Sequence, residues 1–482
     1  MTAQPIRLTQ AAYTARSVIA EAQRCLNLYP EANPEDAPFP FTFYPTPGLT
    51  LQAEAPSSET TWRCLYRASN GELFGVLDTN VYYIDSNYVL TLLGTITAAR
   101  TNTCYMADNG TTIILVDGST TSLACGWSIV LATHAFAAIA DADFLGGDRI
   151  DYIDTFFVAN QPGTRNWYKS DANAITFTGT DVGTKTGGSD DVATLVCSKR
   201  EVWLLGDLTS EIWFNDGNDG FPFVPMPSGS GFIEHGCAAK YSVAQSDVSV
   251  FWLGQDDSGQ KIVFEGIGYE ARRVSTHAVE VALGGYSTVS DAVGFCYQQE
   301  GHVFYVLAFP TADKTWVYDL NTKLWHERAW IDTDGDEHCI RYLCAAFAYG
   351  ANVVGDRANG NLYTLELGVY TDNDDPVVRR RGFPHLVNGA ARVIYNQFIA
   401  DIEVGTITTA GTPLVSLRYS DDRGVSWSAT ITQSLGATGE YRTSVQWNRL
   451  GMARDRVFEL FWSVDAKVAI NGAWVRPTPA MT

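Results

Sequence analysis

The sequence predicts an all-β chain, and three observations carry that prediction: its composition, its turn residues and a rhythm of short apolar runs. Charged residues are only 18% of the 482, too few for long solvated helices to account for most of the chain. In their place stand 42 Gly, 23 Tyr, 23 Phe and 13 Trp, the composition of short strands joined by tight turns. The length exceeds what one hydrophobic core serves, so several domains or one modular array are expected.

Residues 1–60 differ from the rest. A short helix is expected from Ala11 to Cys25 and ends before Pro30, because proline disfavours helix for the residue preceding it. Pro34, Pro38, Pro40, Pro45, Pro47 and Pro56 then predict an extended N-terminal segment, a poor candidate for a central strand, that wraps over another part of the chain. From Thr61 a rhythm sets in. Apolar runs at 72–77, 81–84 and 88–93 are separated by Asp78-Thr79-Asn80 and Asp85-Ser86-Asn87, which reads as a three-stranded meander. Similar units follow at 101–129, 152–168, 201–214, 249–264, 302–325 and 351–365. Their spacing of roughly 40–50 residues is the period of propeller blades, each of which needs neighbours to bury both faces. Two unrelated sandwiches would also show regular strands, but the period favours a β-propeller of six or seven blades over residues 61–370. Residues 178–191 lack any apolar period and predict a flexible loop or exposed tip. The acidic run 372–375 and Arg379-Arg380-Arg381 mark a boundary. A C-terminal β region, 371–482, follows, with strands near 399–404, 414–419, 444–447, 457–462 and 467–475.

The formal charge of −21 keeps such a chain soluble and repels polyanions, which argues against a nucleic-acid module with a basic face. The arginine run is read as a solvated loop or an interface salt-bridge patch rather than a phosphate site. The segments 178–191 and 372–381 are the expected interface loops, because neither has core-forming periodicity. Nine cysteines show no C-x-x-C spacing, so they are expected as buried reduced thiols, suited to assembly in a reducing cytoplasm. No window approaches the ~20 apolar residues of a membrane span, and no signal-like stretch opens the chain.

The sharpest short motif is residues 420–427, Ser-Asp-Asp-Arg-Gly-Val-Ser-Trp, which resembles the Asp-box turn. Its physics is that of a hairpin: Asp422 accepts from turn amides, Gly424 permits positive φ, Ser420 and Ser426 flank the carboxylate, and Trp427 packs beneath. Sialidases carry this box, but as a structural turn away from the catalytic pocket. Asp332 to Glu337 resembles a calcium loop, yet Gly335 falls fourth and Leu343 stands where the twelfth-position Glu belongs, so an acidic turn is expected. The seven histidines show neither H-x-x-H nor H-E-x-x-H spacing, and no G-x-S-x-G elbow occurs. The run Val182 to Thr186 lacks the Gly directly before Lys185 that a phosphate loop needs. No cofactor, no metal and no catalytic residue are expected.

Several stretches, in order, carry a resemblance. They are residues 23–31 with 44–49, residues 230–239, 251–254 and 268–271, then Trp316 to Asp319 with Trp325 to Arg328. The C-terminus adds the Asp-box, 439–442, 447–451, 455–458 and Gly472-Ala473. Together they resemble the packaged-DNA stabilisation proteins of short-tailed bacteriophages, tail accessory factors whose fold includes a β-propeller. The resemblance implies a structural virion protein, made in the host cytoplasm and placed in the tail. Copies would form a homo-hexamer, a nozzle ring below the portal and its adaptor ring. A needle or plug would close the tube, and tailspikes or fibres would attach at the side. Double-stranded DNA would pass through the channel without specific binding. The competing reading is a glycan-binding or sialidase-like propeller used in host recognition.

Overall fold

The structure, a computed structural model, describes residues 3–8, 23–56, 58–96, 103–120, 125–247, 249–256, 258–389, 391–405 and 413–480. Its first sheet is the meander read from the sequence, preceded by one more strand: Trp62–Arg67, Leu73–Leu77, Asn80–Ile84 and Leu90–Thr95, all antiparallel. Sheets of the same build begin at Tyr105, Ile150, Val192, Gly236, Val293 and Tyr342. Neighbouring blades touch at their inner edges, through innermost strands or, from blade four to five, through the turn Lys240–Ser242, and Tyr342–Ala348 returns onto Trp62–Arg67. Among the described residues the ring therefore closes with seven blades. Blade seven draws only three strands from its own segment; its fourth is Gly48–Ala53, antiparallel to Leu362–Glu366 with Leu49 opposite Leu365. A strand from the chain's beginning thus completes the last blade.

Blades pack through aromatic side chains seated on glycines. Trp62, 2% exposed, lies between Gly75 of its own blade and Gly355 of blade seven, where an added Cβ would come within 2.6 and 2.4 Å of the indole. The turns from first to second strand are tight. Asp154-Thr155 and Lys199-Arg200 have positive φ at both positions, the twist that two-residue hairpins require. Neither pair contains the Gly or Asn that usually marks such a turn.

The C-terminal region is a sandwich. One sheet runs Leu28–Ala32, Phe41–Pro45, Ile470–Pro479, Val393–Ile402, Gln446–Asn448, with Gln4–Arg7 added on Ile470–Pro479. The facing strands are Cys25–Leu26, Arg379–Gly382, Asp455–Trp462, Leu414–Ser420 and Ile431–Ser434. Phe43, Val415, Phe398, Trp447, Phe458 and Leu460 fill the space between.

The first sixty residues are more integrated than a wrapping segment. They supply strands to both sandwich sheets before closing the propeller. Pro5 and Pro30 sit in strands paired on one side only, where a missing N–H costs no ladder bond, and Pro34, Pro38 and Pro40 lie between strands. Phe41–Pro45, against expectation, lies inside its sheet. The expected helix falls mainly on residues 9–22, outside the described residues; Cys25 itself is in a strand.

Cys25–Leu26 also pairs in parallel with the outermost strand of blade six, Leu26 opposite Glu327. Propeller and sandwich therefore share one continuous sheet. They share a core as well: Ile6, Leu28 and Phe43 belong to the same apolar cluster as Tyr305, Trp316 and Trp325.

Candidate functional site

The Asp-box forms the turn after Leu414–Ser420, at one end of the sandwich. Ser420 Oγ donates to Asp422 Oδ1 at 2.6 Å and accepts from the Gly424 amide at 2.7 Å. The Ser426 amide and hydroxyl donate to the same carboxylate at 2.8 and 2.5 Å. These bonds from Ser420 and Ser426 hold the Asp422 carboxyl down at about 2. Gly424 has φ +93°. Trp427, half-buried, lies under the Arg418 guanidinium, 4.5 Å from its ring centre.

Beside the box's own Arg423, the fold brings Arg418 and, from a distant strand, Arg456 to this turn. Each of them is paired with a carboxylate. Arg456 is buried and paired with Asp421 at 2.5 Å, Arg423 with Asp455 at 2.5 Å, and Arg418 with Glu459 at 2.5 Å. His385 sits on the other oxygen of Asp455 at 3.1 Å.

Other histidines are likewise bound to carboxylates. His302 Nδ1 lies 2.9 Å from Asp319, whose hydrogen bond raises the imidazole pKa. His338 bridges Asp313 at 2.6 Å and Asp332 at 3.2 Å, and these bonds raise it too. Asp332 accepts from the Asp334 and Asp336 amides at 3.0 and 2.8 Å, and Gly335 turns the chain at φ +90°. The acidic segment is the turn of a small hairpin, Trp330–Ile331 with Glu337–His338. Among the described residues no group of three or more His, Cys, Asp or Glu is placed to hold a metal ion. The nine cysteines are free thiols, buried or half-buried.

Two expectations are corrected here. Residues 178–191 are neither a flexible loop nor an exposed tip. Phe177–Thr184 is the outer strand of blade three, and beyond it Lys185, with no exposed surface, reaches Asp190 at 2.6 Å. Asp190 also accepts from the amides of Leu208 and Thr209 and from the Thr209 hydroxyl. Burial pushes its pKa upward, but Lys185 and Thr209 outweigh this and hold the carboxyl well below its usual range.

The arginine run is not a solvated loop. Arg379–Gly382 is a strand between Cys25–Leu26 and Asp455–Trp462, and Arg379 and Arg381 have no exposed surface. Arg379 donates to the carbonyls of Val377, Val464 and Tyr370 at 3.0–3.3 Å, and Arg381 to those of Gln23 and Arg24 at 3.4 and 3.2 Å. Burial lowers both to about 10, so both stay charged at neutral pH. Arg380 faces the other way and joins a ladder of alternating charges. Glu327 pairs with Arg24 at 3.0 Å, Arg24 and Arg380 both pair with Glu337, Arg380 reaches Glu459 at 3.4 Å, and Glu459 holds Arg418. The ladder runs from blade six to the Asp-box tryptophan. Pattern missed these residues because each partner lies far off in sequence.

The remaining feature is charge at the propeller's rim. Turns joining first to second and third to fourth strands emerge at one end of the ring. They carry Glu72, Asp85, Asp154, Asp171, Asp216 and Glu300 against Arg67, Lys199, Arg200 and Lys323, and Arg200 is itself paired with Asp154 at 3.0 Å. No helix among the described residues is long and apolar enough to cross a membrane.

The fold is thus a closed propeller fused through one sheet to a sandwich. Family comparison identifies both parts. Residues 23–370 match the bacteriophage P22 Gp10 β-propeller and residues 379–477 the bacteriophage P22 Gp10 β-sandwich, so the chain belongs to this phage family, whose proteins stabilise packaged DNA. It is a phage structural protein and a virion component. A search of curated proteins finds no match. Solved structures of similar shape include a streptogramin B lyase (9% identity, TM-score 0.41, 66% of this chain and 97% of that one). Another is BamB from Moraxella catarrhalis (11%, 0.34, 71% and 96%). A third is the extracellular domain of a putative hybrid two-component system from B. thetaiotaomicron (8%, 0.42, 85% and 57%).

Proposed function

We propose that this chain is a non-enzymatic tail accessory protein that assembles as a homo-hexameric nozzle. The ring sits below the portal and its adaptor, extends the DNA channel and helps retain packaged DNA. A needle or plug closes the tube, and tailspikes or fibres attach to its side. The observation that carries this reading is the ordered match of both domains to one phage DNA-stabilisation family.

Two physical features support it. A tube that resists pressurised DNA needs rigid subunits, and here the propeller and sandwich share a sheet, an apolar core and an ion-pair ladder. A channel through which DNA slides should not grip phosphate, since each neutralising Lys or Arg adds affinity by counterion release. The net charge of −21 and the acidic rim meet that requirement. The DNA-facing surface of the ring is accordingly net negative. The test is DNA binding by the ring assembled on its portal–adaptor complex, measured across salt concentrations. Weak binding with a shallow salt slope is expected; tight binding with a steep slope would sink the reading. The Asp-box gives a glycan reading no support of its own, because each arginine around it is already paired to a carboxylate.

A further inference from the structure

Arg328 follows the outermost strand of blade six and is 3% exposed. Its Nη1 and Nη2 make no hydrogen bond of good geometry among the described residues. The rings of Tyr297 and Phe304 lie 5.3 and 5.1 Å from the guanidinium carbon, and its polar neighbours are the Tyr297 and Tyr342 hydroxyls. Nε lies 3.4 Å from Nε2 of His326, an imidazole that burial keeps neutral. A guanidinium cannot shed its proton at accessible pH, so this positive charge is buried without an ion-pair partner among the described residues.

Arg328 lines a cavity of about 40 Å³ shared with Gly48, Trp330, Arg341, Tyr342 and Asp372. Arg341 is committed to Asp356 at 2.9 Å and stacks on Trp330. Asp372, opposite Leu49 at the margin of the closing strand, forms no ion pair among the described residues, and burial raises its carboxyl to about 6. The wall therefore carries two guanidinium groups, one of them committed to Asp356, against the single carboxyl of Asp372. A water needs roughly 10–15 Å³ of such volume, so the space has the size for a halide with a water beside it.

We propose that this cavity holds a small monovalent anion of halide size, bound by the Arg328 guanidinium, which pins the crossover at Gly48 that closes the propeller ring. Ligand held only by the folded state raises its melting temperature by mass action. Exchanging chloride for gluconate at matched ionic strength should lower the melting temperature by roughly 1–3 °C, and bromide should restore it. Crystals grown in bromide should show an anomalous peak in the cavity beside Arg328. Arg328→Met should abolish the difference between chloride and gluconate. Should that variant fail to fold, the wild-type salt exchange and the bromide peak decide alone. Equal melting temperatures of the wild-type protein in the two salts, bromide only elsewhere, or ordered water only in the cavity would each overturn the proposal.

Discussion

Lys185 places a charge where no solvent reaches, and it is tolerated because Asp190 meets it at 2.6 Å while three further donors satisfy the same carboxylate. Removing one partner of a buried pair is costly because the other stays buried. Lys185→Met is expected to lower unfolding stability by about 3 kcal/mol, read as a shift in urea midpoint at unchanged slope. Because the folded pKa of Asp190 is depressed, its contribution is full above the unfolded value near 3.9 and fades as pH falls below it. His302 works with the opposite sign. Asp319 raises its pKa, so its contribution is full below about 6.5 and is lost as pH rises through the folded value. Asp319→Asn should flatten the decline in stability on the alkaline side of neutrality, a change visible in melting temperature against pH. Gly355→Val would drive side-chain atoms into the Trp62 indole and should cost about 2 kcal/mol or more by the same urea assay. What was legible at this scale was local. The turn around Asp422 could be reasoned about from sequence because Ser420, Gly424 and Ser426, which bond there, all lie within a few residues of it. The arginine run was misread because its partners, such as Gln23, Arg24 and Val464, are remote in sequence.

The strand that closes the ring contributes more than its length suggests. Gly48–Ala53 is the outer strand of blade seven, and the strands before it belong to the sandwich. A chain lacking residues 1–53 would therefore open both domains at once. It should lose its cooperative unfolding transition in calorimetry, whereas a merely wrapping segment would leave the propeller's transition in place. The ladder through Glu337 and Arg380 predicts coupling between domains: Glu337→Gln should separate the unfolding of propeller and sandwich into two calorimetric steps. The seven apolar units in the sequence each became middle strands of one blade, because those strands are continuous apolar runs between marked turns. Innermost strands were harder to see. Tyr342–Ala348 interleaves small residues, and Ile150–Ile153 is only four residues long. The outermost strand of blade seven was hidden by a separation of some three hundred residues, which no local pattern reveals.

At the scale of the molecule, the acidic composition argues against a nucleic-acid module with a basic face, and that acidity gains meaning once the family is known. On the reading proposed above, a phage protein that stabilises packaged DNA while carrying −21 charges would act by confinement rather than by grip. Its rigidity follows from the shared sheet and core. The most direct measurement images purified portal–adaptor complexes by electron microscopy with and without this chain. The account predicts a six-fold ring of added density that prolongs the axial channel below the adaptor. Complexes unchanged in length, with the chain left free in solution, would contradict it.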